Sequence, residues 1–241
     1  MLRAHRPLQG AALLGGARRP ASYAVRARGQ ARAPPGAHVG CRDDHLGGGA
    51  RTLTATTLRD YVPADDTAAR AIYEASFPPS LRAPWADLVD HRDDERLLIL
   101  DDSAFGPAGM ALVRRLGQTD MAFVRYLAVD PARRDRGLGT DLVTHLRHAL
   151  RSDGVGALLL DVEEPIGEHA EQDRRRIAFY QRCGIDVLDV PDYAPPEHGE
   201  TGEIVPLLLM GEVLDGGQPL TGTRLRDAVR AVMTHRYGVQ A

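Results

Sequence analysis

Lysine and asparagine are missing from all 241 residues, so each of the 30 basic residues is an arginine. Losing both AT-rich codon families points to a GC-rich genome, which makes the arginine excess a weak guide to function. The missing lysine does exclude one site: a Walker phosphate loop ends in Gly-Lys-Ser/Thr. Cysteine is nearly missing too. Cys41 and Cys183 lie far apart and in no metal-like spacing. This excludes a disulfide framework, predicts no metal site and fits a reduced, cytoplasmic protein. No apolar run approaches the roughly 18 residues of a membrane span, so no membrane partner is expected. The hydrophobic share of 43% is enough for a real core.

Charge is divided unevenly. Residues 1–50 carry eight arginines against Asp43 and Asp44, a net of +6, while the remainder carries 22 arginines against 31 acids, a net of −9. The first fifty residues are rich in Ala, Arg, Gly and Pro, contain Pro34-Pro35 and Gly47-Gly48-Gly49, and show no sustained periodicity. Too little apolar surface is available there to offset ordering entropy, so 1–50 is read as a disordered extension and 51–241 as the domain. A transit peptide, a nucleic-acid-binding arm and a start assigned too far upstream are the competing readings. Arginine richness and few acids speak for the first, and a single serine, Ser22, against it. A lone aromatic, Tyr23, speaks against the second, so no nucleic-acid partner is expected. An acidic domain suits a cationic substrate, and equally a solvated surface.

From residue 52 the pattern becomes ordered. Alternation predicts strands over 52–58, 95–101, 108–116, 122–129, 157–163, 186–190 and 203–210. Helical periodicity predicts helices from Asp65-Asp66 toward Phe77-Pro78, over 81–91, from 138 to Asp153-Gly154, over 174–184 and over 223–237. The last has Leu225, Ala228, Val229, Val232 and Met233 on one face. Packing that face onto the sheet is the plain reading, and a homodimer contact is the alternative.

The most informative run is Leu127-Ala128-Val129-Asp130-Pro131-Ala132-Arg133-Arg134-Asp135-Arg136-Gly137-Leu138-Gly139-Thr140, which joins a strand to a helix. The first N–H groups of a helix lack internal partners, and the helix dipole makes that end electropositive. Glycine at 137 and 139 lets a bulky anion approach the backbone. A Rossmann turn is excluded, because Leu142 stands where its third glycine or alanine would be. Arg134-x-x-Gly137-x-Gly139 behind a strand resembles the pyrophosphate motif of the GNAT family of N-acetyltransferases; Asp135 departs from it, standing where glycine is frequent. A second block, Ala178-Phe179-Tyr180-Gln181-Arg182-Cys183-Gly184 after a strand ending Leu160-Asp161-Val162-Glu163, resembles another motif of that family. Two core aromatics would account for Phe179 and Tyr180 alone; two motifs in order carry the resemblance, which covers about residues 52–211.

The resemblance implies an α/β GNAT fold: a mixed central sheet of about seven strands flanked by helices, here with an extra C-terminal helix. It implies acetyl-CoA as cosubstrate, held by Leu127, Ala128, Val129, Arg134, Asp135, Arg136, Gly137, Leu138, Gly139 and Thr140. It implies direct acetyl transfer to the amine of a small molecule or peptide, with Tyr180 protonating the leaving thiolate. Alternation puts Asp161 and Glu163 on one face of their strand, where mutual repulsion favours one as a base near neutrality. Glu163 is the candidate base, with Glu164, Glu168, His169 and a water chain as competitors. Tyr193 and His198 are expected to shape the acceptor pocket, and Cys183 to be a small core residue. An acyl-CoA sensor without turnover is the alternative function.

Overall fold

The elements run β1 (Thr56–Asp60), α1 (Asp66–Ser76), α2 (Trp85–Val89), β2 (Glu95–Asp102), β3 (Gly106–Arg115), β4 (Met121–Val129), α3 (Leu138–Ser152), β5 (Ala157–Glu163), α4 (Ala170–Arg182), β6 (Asp186–Val187), β7 (Leu207–Val213) and α5 (Gly222–Ala231). This computed structural model describes residues 55–90, 93–196, 206–214 and 216–239. The extension 1–50 and His198 lie outside the described residues. Seven strands form one mixed sheet in the order β1-β2-β3-β4-β5-β7-β6. Among the described residues, only β4 and β5 pair in parallel, joined by α3.

Three expected elements shift. The helix expected over 81–91 is the single turn pair of α2, because Pro84 disfavours helix before it and lacks an N–H donor. The strand expected over 186–190 pairs only at Asp186 and Val187. The last strand is Leu207–Val213, running past the expected end at 210; residues 203–205 of the expected strand lie outside the described residues. The C-terminal helix follows the expected pattern to Ala231 and then widens into a π-helical turn, Val232–Arg236.

Alternation assigns the helices to faces. Leu98, Leu100, Ala122, Val124, Leu158, Leu160 and Val162 share a core with Leu142, Val143 and Leu146 of α3 and with Tyr180 of α4. On the opposite face, Leu97, Ile99, Met110, Leu112, Tyr126 and Ala128 pack on Ile72 and Tyr73 of α1 and Leu88 of α2. Beside them Met121, Phe123, Ala157 and Leu159 pack on Ala228, Ala231 and Val232 of the C-terminal helix. That helix therefore packs onto the sheet.

In β4 the parity changes between Phe123 and Tyr126, although both sit on the same face. The cause is a β-bulge. Leu112 pairs with Tyr126 and Val113 with Val124, which leaves Arg125 opposite nothing. Beyond that point β4 and β5 part: their register runs from Met121↔Ala157 to Val124↔Leu160 and stops.

Arg125 is anchored at a buried acid. Its Nη1 lies 2.6 Å from Glu95 Oε1, and Arg114 on the neighbouring strand lies 2.9 Å from the same oxygen. Glu95 is 6% exposed, so removing it strips Arg125 of its counterion and leaves Arg114 the longer contact to Asp94, at 3.5 Å. Glu95→Ala should cost about 3–5 kcal/mol of stability. Urea denaturation of wild type and variant measures this; a loss below about 1 kcal/mol would show that the bulge needs no counterion.

Candidate active site

The parting of the strands opens a cavity of ≈ 480 Å³ through the sheet. Its wall on the α3 side includes Leu127, Val129, Arg134, Asp135, Gly137, Leu138, Gly139, Thr140, Phe179 and Tyr180. Its wall on the α1 side includes Phe77, Leu81, Tyr126, Ala128 and Arg236. Asp161 and Glu163 line it at the end of β5. Every residue expected to bind the cosubstrate lines this cavity except Arg136, which is exposed and outside its wall.

The α3 end of the cavity follows from local backbone. The 15-residue helix α3 starts after Gly137, and no side chain caps it. Its first backbone bond, Asp141 N–H to Gly137 O, leaves the preceding amides of that turn to an outside acceptor. Gly137 has φ +84°, a left-handed conformation that side chains resist, and the space beside it is open. A Cβ at Gly139 would lie 3.1 Å from the Phe179 ring, so a larger residue would crowd the α3–α4 contact. Asp135 also has positive φ, +62°, which explains why glycine is frequent at this position in the family motif. Arg134 lines the cavity with no carboxylate in ion-pair range among the described residues. Uncapped amides, an unpaired arginine and a free strand edge on β4 fit the phosphates and the amide-bearing arm of a CoA thioester.

Tyr180 sits on α4, 8% exposed, within the core beside the cavity. Burial pushes its hydroxyl up to about 12, against the opposing charge of Arg176, with Cys183 and Asp161 adding to the rise. The group is therefore a proton donor throughout the neutral and mildly alkaline range. Cys183 is buried, as expected of a small core residue.

The two carboxylates share a face, as alternation predicts, but each has partners of its own. Glu163 forms an ion pair with Arg176 of α4. Asp161 Oδ2 accepts hydrogen bonds from the Tyr193 hydroxyl, at 3.2 Å, and from the Tyr237 hydroxyl. Burial first, then the Asp161 charge, pushes both phenols well above the usual tyrosine range, so both remain donors. The mutual repulsion expected between Asp161 and Glu163 is thus met by neighbouring groups. Glu164, Glu168 and His169 do not line the cavity.

Sequence reasoning missed Arg125, Arg176, Tyr237 and Arg236. Arg176 was visible four residues before Tyr180, one helical turn away on the same side of α4. Tyr237 and Arg236 carried no signal, because nothing in their spacing relates them to a strand 75 residues earlier.

A family model described as the acetyltransferase (GNAT) family matches residues 64–185. Among curated proteins no match is found. Among solved structures, a protein from Bacteroides thetaiotaomicron assigned to the GNAT acetyltransferases is 24% identical with a TM-score of 0.61, covering 76% of this chain and 99% of its own. The ribosomal-protein-S18-alanine N-acetyltransferase of Escherichia coli is 21% identical with a TM-score of 0.50, covering 70% and 100%. Spermidine N-acetyltransferase of Vibrio cholerae, solved with CoA and spermine, is 13% identical with a TM-score of 0.51, covering 66% and 95%. At such identities these likenesses are of fold. The family match spans half of the sequence and both motifs, and on it this chain belongs to the GNAT acetyltransferase family.

Proposed function

We propose that this protein transfers an acetyl group from acetyl-CoA to the amine of a small molecule or peptide, by direct attack and without an acyl-enzyme. One observation carries the reading: the uncapped N-terminus of α3, the unpaired edge of β4 and the buried Tyr180 hydroxyl border a single cavity through the sheet. Leu127, Ala128 and Val129 present backbone groups on the side of β4 that β5 has left, which suits an arm bearing amides. The amides after Gly137, with Arg134, suit the pyrophosphate. Acetyl-CoA supplies a thioester whose C–S bond breaks as the acceptor's C–N bond forms.

The chain's own groups then handle protons and position. Tyr180 donates its proton to the departing sulfur. Glu163, ion-paired with Arg176, accepts the proton that the amine must lose, directly or through water. Holding both reactants in one cavity can supply roughly 7–11 kcal/mol in favourable cases. No helix among the described residues is long and apolar enough to cross a membrane. Together with the sparse cysteines, that supports a cytoplasmic site of action.

Amine-dependent CoA release, read with a thiol reagent over a broad amine panel, tests the reading. Acetyl-CoA binding with no turnover on any amine would favour a sensor. Asp135→Gly should tighten acetyl-CoA binding on the order of tenfold, about 1.4 kcal/mol, by removing a charge beside the phosphates and relieving a positive φ. Unchanged affinity by calorimetry would move the phosphates elsewhere.

Tyr180→Phe should lower kcat roughly 10²–10⁴-fold with little change in acetyl-CoA affinity. If kcat stays within a few-fold of wild type, the ring is packing and the proton comes from another source. Glu163→Gln should lower kcat/KM roughly 10²-fold at neutral pH. It should recover in part as pH rises, because more of the amine is then free of its proton. A rise in KM alone would make Glu163 a binder of the acceptor's charge.

A further inference from the structure

The C-terminal segment lies beyond the residues that match the family model, yet it delivers two side chains to the site. Tyr237 donates to Asp161, and Arg236 lines the cavity. The Arg236 guanidinium carbon lies 4.7 Å from the Tyr237 ring centroid and 6.0 Å from that of Phe123. Phe123 faces α5, so Arg236 stands on the opposite face of the sheet from α3 and the phosphate-binding end.

Four arginines line the cavity. Arg125 is paired with Glu95 and Arg176 with Glu163. Arg134 is at the phosphate end. Arg236 has no ion pair among the described residues, and its Nε is buried without an acceptor. Stacking on an aromatic ring stabilises the cation but does not replace an acceptor for a desolvated N–H. The planar donor fork of a guanidinium matches a carboxylate in both shape and charge. An acceptor ending in a second ammonium would instead be repelled here.

We propose that Arg236 binds a carboxylate of the acceptor, so that the substrate is an amine carrying its own acid group, of α-amino-acid chemistry. Its amine lies toward Glu163 and Asp161, its carboxylate toward Arg236, and its side chain against Phe77, Leu81 and Tyr126. This assignment rests on the acetyltransferase reading. It names the C-terminal segment as the part of the chain that sets acceptor class.

The test compares matched acceptors with and without the carboxylate: leucine against 3-methylbutylamine and phenylalanine against phenethylamine. Wild type, Arg236→Gln and Arg236→Lys are assayed by CoA release and by calorimetric titration of the CoA-loaded protein. Circular dichroism establishes that each variant is folded. Wild type should prefer the amino acid in kcat/KM. Arg236→Gln should lower that preference by roughly tenfold to a hundredfold through KM, and Arg236→Lys should restore part of it. Equal or better turnover of the decarboxylated amines by wild type would overturn the proposal while leaving the acetyltransferase reading intact. So would an unchanged preference in Arg236→Gln. If acetyl-CoA binds but no amine is acetylated, the acetyltransferase reading fails and the titration decides. Amino-acid binding lost in Arg236→Gln supports the subsite, and no binding in wild type overturns it.

Discussion

The rest of the structure depends on one local defect in the sheet, the unpaired Arg125 in β4. An extra residue bends and twists a strand, and here it does so where the parallel register with β5 ends. Without it, Tyr126 and Ala128 would turn to the α3 face and the apolar alternation of β4 would be wrong for half its length. The bulge places a guanidinium in the sheet, and Glu95 supplies the counterion from β2 with Arg114 opposite it on β3. A buried charge cluster is weak evidence of net stability, but once present its members are costly to lose singly. Against a total stability of about 5–15 kcal/mol for a domain, such a loss bears on whether the site exists at all.

A sheet that parts in the middle gives an enzyme two separated compartments. The face bearing α3 and α4 offers amides, a helix dipole and Arg134, all suited to an anionic cosubstrate. The opposite face, bearing α1, α2 and the C-terminal helix, offers aromatic walls and a different arginine. At the passage between them stand Tyr180 from α4 and the carboxylates from the end of β5, the groups proposed to handle protons. The Asp161 charge contributes to the rise at Tyr180, which ties the two sides of the passage electrostatically. Burial keeps Tyr180 protonated, and its neighbour Arg176 pairs with Glu163, so the proposed acid and base share one cationic neighbour.

What was legible in the sequence was what repeats locally. Seven strands along the chain follow from alternation, and the α3 N-terminus from two glycines behind a strand; the order of strands in the sheet does not follow from alternation. A boundary failed where proline intervened, at Pro84, since periodicity does not register a missing N–H. The family resemblance implies a bulge in this strand, but alternation does not locate it at Arg125, because Phe123-Val124-Arg125-Tyr126 reads equally well as an unbroken strand. The shared face of Asp161 and Glu163 was correctly read from alternation. Their partners were not, because Tyr193, Tyr237 and Arg176 reach them only through tertiary packing. Asp135 looked like a departure from a motif in composition; its positive φ shows that the constraint there is backbone conformation, which aspartate tolerates better than most residues.

Because every cation in this chain is an arginine, the number of basic residues says little, and the placement of acids carries the information. Of the four arginines that line the cavity, Arg125 and Arg176 are ion-paired with Glu95 and Glu163. Arg134, Asp135, Asp161 and Arg236 are the other charged side chains in its wall among the described residues. In the proposed function one reactant brings phosphates to the α3 side, and the proposed acceptor brings an ammonium to the passage and an acid group to the far side. The acidic net charge of the domain suits the ammonium alone, so the proposed acid group is a matter of one arginine's placement and not of net charge.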